Sequence, residues 1–186
     1  ANLTAQLLDF RRLEMGKLSV ERVRGDVAAC VDDTVLHMEP LAEAKGVRCI
    51  FQGVETLDGW FDDDKLRKIV RNLVGNAIKY TPKGGEVTVR LGAADHGREL
   101  ELVVEDSGPG IASEHLLRIF ERFYRVPEKH IVDGSGIGLN LTKELVELWG
   151  GRITVESPAR EHPDLPGSRF RVILPIHLPQ EKSRDE

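Results

Sequence analysis

Asn72, Asn76 and Lys79 stand at i, i+4 and i+7, a spacing that puts two amides and an ammonium on one helical stripe. Asparagine is unfavourable inside a helix, so two on one stripe call for a reason. An amide oxygen can ligate Mg²⁺, which draws most of its ligands from water and phosphate, and a nearby lysine attracts phosphate. The plain alternative is a pair of solvated polar residues. Asp106–Ser107–Gly108–Pro109–Gly110–Ile111 follows an apolar run. These are turn formers, yet a carboxylate fixed at a strand end can accept from an exocyclic amine, and glycines let a flat ring approach the backbone. Gly134–Ser135–Gly136–Ile137–Gly138–Leu139 runs into a further helical pattern. Backbone N–H groups at a helix start, bared by glycine, form an anion site suited to phosphate. The stretch before it, residues 126 to 133, is expected to act as a mobile lid over a site.

The elements that must hold these groups are legible in outline. On a helix from Asp64 to Tyr80, residues Leu66, Ile69, Val70, Leu73 and Ala77 share the core face, with the polar stripe beside it. Asp62–Asp63–Asp64 suits its positive start, and Thr81–Pro82–Lys83–Gly84–Gly85 ends it. Upstream, the spacing of Leu3, Leu7, Leu8, Phe10 and Leu13 predicts a helix closing near Gly16. Residues 18 to 24 read as a connector. Asp26 is the expected N-cap of a helix over 27–45, kinked at Pro40 and stopped by Gly46. Strands are expected over 47–51, 86–91, 99–105, 152–156 and 168–174, and a helix over 137–149 ending at Gly150–Gly151. Residues 106 to 136 are expected to be mostly loops. Such an order, with hairpins among the alternations, predicts an α/β fold with a mixed sheet covered on one face by helices.

Composition narrows the function classes. With 40% hydrophobic and 31% charged residues, the 186-residue chain can bury a core and is not a disordered one. No run approaches the roughly 18 consecutive apolar residues of a membrane span, and no signal peptide opens it. A net charge of −5 without a basic stripe argues against nucleic acid. Cys30 and Cys49 lack zinc spacing and are expected to be buried thiols, which predicts a reduced, cytoplasmic setting. There is no G-x-x-x-x-G-K-[ST] loop.

Taken together and in order, Asn72-x-x-x-Asn76-Ala77-x-Lys79-Tyr80, the Asp106 turn, Ile119–Phe120–Glu121–Arg122–Phe123–Tyr124–Arg125 and the Gly134–Leu139 turn resemble the catalytic domain of sensor histidine kinases. Lys143–Glu144–Leu145–Val146–Glu147, Gly150–Gly151 and Gly167–Ser168–Arg169–Phe170 continue the likeness, which covers about residues 26 to 175. Leu7–Leu8–Asp9–Phe10 and Leu13–Glu14–Met15–Gly16–Lys17 resemble the end of that family's dimerisation hairpin. The resemblance implies a two-layer α/β sandwich of the Bergerat type, shared with gyrase and heat-shock chaperone ATPases, plus an N-terminal helix stub. It divides the chain into residues 1–24 (hairpin end and connector), 25–176 (the ATP-binding domain) and 177–186 (a polar tail).

By the same resemblance Asn76 would ligate Mg²⁺ with Asn72 assisting, and Lys79 and Tyr80 would face the phosphates and sugar of ATP or ADP. Asp106 would accept from the adenine amine, with Gly108, Gly110 and Ile111 lining the ring pocket. Phe120 and Phe123 would pack the base of the lid. Arg125 would reach the terminal phosphate, with Arg122 and Lys129 behind it as substitutes. Gly134, Ser135, Gly136, Gly138 and Leu139 would close over the phosphates. The related ATPases carry a glutamate base where this chain has Asn72, which favours transfer to a histidine over hydrolysis. The implied partners are a helical dimerisation domain carrying the acceptor histidine and the receiver domain of a response regulator. The parent kinase would be a membrane-anchored homodimer and this chain a monomer or weak dimer. None of His37, His96, His115, His130, His162 and His177 has the acceptor's sequence context, and the chain opens inside a helical pattern without a methionine. A fragment of a longer kinase is therefore expected. A serine kinase or ATPase of the same fold, and a pseudokinase that only senses nucleotide, are the competing readings.

Overall fold

A computed structural model of the chain describes residues 4, 8, 11–13, 15–127, 136–159 and 165–177. Residues 4, 8 and 11–13 are helical, and a left-handed Gly16 (φ 61°) closes that segment. Gly16 N–H donates to Leu13 at 3.0 Å and Lys17 N–H to Arg12 at 2.9 Å, the two bonds of a Schellman end.

Strand β1 (Val23–Asp26) pairs antiparallel with β3 (Asp58–Phe61) in a small two-stranded sheet. The expected connector over 18–24 is thus corrected, because its last two residues belong to a strand. The connector is also tied to two helices that follow. Glu21 N–H donates to Asp62 at 2.8 Å, and the Arg22 guanidinium donates to the Trp149 carbonyl at 3.0 Å.

Helix α1 (Val27–Leu36) starts at Asp26, as its cap chemistry predicts. The helix expected over 27–45 is two helices. Pro40 falls in the first turn of α2 (Glu39–Lys45), where a missing N–H costs nothing. Proline here begins a helix instead of kinking one. Gly46, at φ 69°, terminates α2.

The Asp26 carboxylate also reaches across to Leu57. It accepts from Leu57 N–H at 3.0 Å, Ala28 N–H at 2.9 Å and Ala29 N–H at 3.4 Å. The Leu57 bond is the largest influence on its acidity; with the two cap bonds it outweighs burial and holds the carboxyl below its ordinary value. A lowered native pKa gives stability that is present above the unfolded value of about 4 and lost as pH falls through the native one. Asp26→Ala should therefore lower the melting temperature at pH 7 by a few degrees, the effect of losing a cap worth about 1 kcal/mol. Melts repeated at pH 3 should show the gap to wild type closing.

The main sheet has the order β2-β4-β5-β7-β6, formed by β2 (Arg48–Gly53), β4 (Glu86–Ala94), β5 (Glu99–Asp106), β6 (Arg152–Glu156) and β7 (Arg169–Pro175). The β2–β4 pair is parallel and the other three are antiparallel, so the sheet is mixed. Alternation along β5 assigns its faces. Leu100, Leu102 and Val104 are fully buried under the helices. Glu101 and Glu105 point to the opposite face, where Arg171, Arg90 and Arg169 pair with them.

Helix α3 (Asp63–Tyr80) lies centrally on this sheet with α1 and α5 (Gly138–Leu148) packed against it. Its buried side chains Leu66, Ile69, Val70, Leu73 and Ala77 are the face read from periodicity. Asp62 caps it through Lys65 N–H at 3.0 Å and holds the buried Lys65 ammonium at 2.6 Å. Between β5 and α5 only the four-residue α4 (Ser113–Leu116) is regular among the described residues. Cys30 is buried and Cys49 half-buried, and burial pushes their thiols up to about 12 and about 11. Among the described residues no helix is long and apolar enough to cross a membrane.

Candidate nucleotide site

The three motifs are far apart in the chain, and α3 brings them together. Its exposed edge carries the half-buried Asn72, Asn76 and Lys79 in one row, because a seven-residue interval is close to two helical turns. The Asn72 amide donates to Thr142 Oγ1 at 3.2 Å and to the Gly138 carbonyl at 3.4 Å. This contact joins the row to the first turn of α5, where the glycine-rich motif ends. At the other end of α3, the Tyr80 carbonyl lies against the Asp106 turn. A side-chain carbon added to Gly108 would sit 3.0 Å from that oxygen and 2.8 Å from the Asp106 carboxylate.

Asp106 is buried at the end of β5. Its carboxylate accepts from Gly108 N–H at 2.8 Å, and its own N–H donates to the Ser168 carbonyl at 2.9 Å. The turn is braced from outside by the segment between β6 and β7. Gly167 N–H donates to the Gly108 carbonyl at 3.0 Å, and Ser157 Oγ accepts from Ile111 N–H at 2.8 Å. Ile111 packs against the core. The space beside Gly108 is taken by Tyr80 and Asp106, and the space beside Gly110 by Pro166 and Ser157. Their missing side chains allow protein to approach protein.

Lys79 and Tyr80 form a pair at the mouth of the row. The ammonium donates to the Tyr80 hydroxyl at 3.1 Å and lies 4.6 Å from the ring centre. Gly138 and Leu139 open α5, half-buried, and Gly136 stands just before them at φ 69°. Gly136 accepts Phe123 N–H at 3.0 Å, and any side chain on it would run into the Phe123 backbone. Gly134, Ser135 and Lys129 lie outside the described residues, as does the expected lid apart from Val126 and Pro127.

Phe120 lies edge-on to Phe170 of β7, with ring centroids 6.3 Å apart. Phe123 is 63% exposed and held at φ 61°, so the expectation that it packs the base is corrected. The bond to Gly136 fixes its backbone while its ring faces out. Arg122 and Arg125 are exposed on the same strap. His115 is built into it, with Nδ1 2.7 Å from the Tyr124 hydroxyl, while Arg118 covers the Tyr124 ring at 4.3 Å. His130 and His162 lie outside the described residues.

Thr142 and Ser157 brace these motifs and carry no periodic or motif signal of their own. Thr142 was findable in principle, since it lies one helical turn beyond Gly138.

Comparison with known proteins gives the class of this mixed-sheet module. Residues 61–178 match the family described as histidine kinase-, DNA gyrase B- and HSP90-like ATPases. The chain belongs to that family. It is similar to the sensor histidine kinase CusS of Escherichia coli O157:H7, 36% identical over 177 residues, covering 94% of this chain and 35% of that protein. It is also similar to histidine kinase P4 of Formosa agariphila, 31% identical over 180 residues, covering 94% of this chain and 13% of the other. Among solved structures, a mycobacterial sensor histidine kinase, MprB, superposes with a TM-score of 0.73 at 29% identity, covering 82% of this chain and 97% of that one. Full-length ShkA in complex with AMPPNP superposes at 0.79 and 28% identity, covering 93% of this chain and 35% of that one. The chain spans about a third or less of the two curated kinases named.

Proposed function

We propose that this chain is the catalytic module of a sensor histidine kinase, transferring the γ-phosphate of Mg-ATP to a histidine on a helical dimerisation domain of the same parent, for relay to an aspartate of a response regulator. The observation that carries the proposal is the meeting of the Asn72–Lys79 row, the buried Asp106 turn and the start of α5 around one helix. Residues 25–176 would be the catalytic domain, residues 1–24 the end of the dimerisation region and connector, and 177–186 a tail. The parent would be a homodimer acting in the cytoplasm and anchored to the membrane, with this chain a monomer or weak dimer.

Asp106 would orient the adenine through its exocyclic amine. Lys79 and Tyr80 would exchange their mutual contact for the phosphates and sugar. Gly134, Ser135, Gly136, Gly138 and Leu139 would present backbone to the phosphates, and Arg125 would stabilise charge on the transferred group. The oxygen donors present fit a hard divalent cation such as magnesium. Among the described residues no three His, Cys, Asp or Glu side chains gather as a metal site, whereas Asn76 and Asn72 supply the one or two protein oxygens that Mg²⁺ takes beside phosphate and water. When bound, the ion neutralises phosphate charge. The acceptor imidazole nitrogen forms the new bond to phosphorus as the bond to the ADP oxygen breaks. Asn72 cannot take a proton from water, so hydrolysis competes poorly.

The test mixes the chain with γ-labelled ATP, with and without the parent's helical hairpin carrying its histidine. Acid-labile label is expected on the hairpin alone, slowly and in proportion to hairpin concentration, because no tether raises its effective concentration. Asn76→Ala should remove it. Acid-labile label on the chain by itself would overturn the proposal, and acid-stable label on a partner would indicate a serine kinase of the same fold.

A further inference from the structure

We propose that Lys45 is a positioning residue for the nucleotide, acting through the carboxyl end of α3; the inference rests on the nucleotide reading above. Lys45 is the last residue of α2, and its half-buried ammonium donates to the Ile78 carbonyl at 2.7 Å and also to the Lys79 carbonyl. Both carbonyls lie in the last turn of α3, where intrahelical donors run out. Ile78 lacks one for a specific reason: the residue four positions on is Pro82, which has no N–H. A cation there meets the negative end of the helix dipole, and its bonds are charge-assisted.

The corner that carries Lys45 is fastened to the turn after α3 by two more bonds. Gly84 N–H donates to the Gly46 carbonyl at 2.7 Å, and Arg48 N–H donates to Gly85 at 2.9 Å. That turn leads into β4, where Glu86 N–H donates to Ser107 Oγ at 2.7 Å and Ser107 N–H donates to the Glu86 carbonyl at 3.0 Å. The Tyr80 carbonyl meanwhile borders Gly108. Lys45 therefore clamps the point from which Lys79, Tyr80 and the Asp106 turn all take their positions. A helix end needing only a cap could use water. This one holds a second ammonium close to Lys79, and burial together with the Lys79 charge lowers the Lys45 pKa. Placing two cations at one helix end works against folding and favours an incoming phosphate group.

The experiment compares wild type, Lys45→Met, Lys45→Arg and Leu100→Ala in calorimetric titrations with Mg-ADP, with apo melting curves alongside. Leu100 is fully buried near the start of β5, the end away from Asp106, so its truncation lowers stability without touching the site. Lys45→Met should bind ADP about tenfold more weakly, the scale of losing a hydrogen bond to a charged group. Lys45→Arg should stay within about threefold of wild type, since it keeps the charge and donors. Leu100→Ala should melt at least as early as Lys45→Met yet bind ADP as wild type does. Wild-type affinity in Lys45→Met would overturn the inference, as would equal weakening by Lys45→Met and Leu100→Ala, or no rescue by arginine. Failure of wild type itself to bind ADP would overturn the nucleotide reading and this inference with it.

Discussion

Asp106→Asn should lose most of the chain's affinity for ADP while leaving it folded. The asparagine keeps the shape, and its amide oxygen can go on accepting the Gly108 N–H now made at 2.8 Å. That orientation turns the amide NH₂ to where a carboxylate oxygen stood. An adenine amine would then meet a donor instead of an acceptor, in a position that is only 6% exposed. An unmatched buried donor costs about 1–3 kcal/mol, and the lost charge adds to it, so roughly a hundredfold weakening is expected. Calorimetry measures the affinity and circular dichroism the fold. Affinity within about threefold of wild type would remove Asp106 from adenine recognition.

Gly167→Ala should be the most damaging small substitution in the pocket wall. Gly167 sits at φ 65°, and a side-chain carbon on it would lie 2.1 Å from the Asp106 carbonyl oxygen. The obstacle is backbone already committed to β5, so it cannot swing aside. The left-handed conformation costs alanine about 1–2 kcal/mol, and overpacking adds about 1–3 kcal/mol. For a domain of this size, a loss of about 3 kcal/mol should lower the melting temperature by roughly 6–12 °C. Gly84→Ala is the control. Gly84 also has positive φ, 84°, but nothing lies within 4 Å of the added carbon. Its melting temperature should drop by only a few degrees, and equal losses in the two variants would show that the contact with Asp106 is not the cause.

The residues legible in the sequence were those whose signal is local. The core face of α3 repeats every three to four positions, and its acidic start announces a positive helix end. Asn72 and Asn76 stood out because they oppose helix propensity, so the row they form could be read before any contact was seen. Strands β1 and β3 were not legible. Each has only four residues, and they find each other across more than thirty positions of chain. A proline inside a helical run signals a kink, but it suits the start of a new helix equally well. The glycines of the Asp106 turn were visible as glycines, while their neighbours Tyr80, Pro166 and Ser157 come from other elements. Nothing in the sequence around Lys45 points to Ile78 and Lys79.

The strand order has a consequence for how the chain is made. Strand β7 (Arg169–Pro175) lies between β5 and β6, so neither gains that neighbour until residues 169–175 have left the ribosome. Until then β5 carries an open edge bearing Leu100, Leu102 and Val104, the kind of apolar strand that pairs with the wrong chain. Asp106 waits for the same event, because its backbone partner is Ser168. Closing the sheet edge and bracing the Asp106 turn therefore both wait for the segment from Ser168 to Pro175.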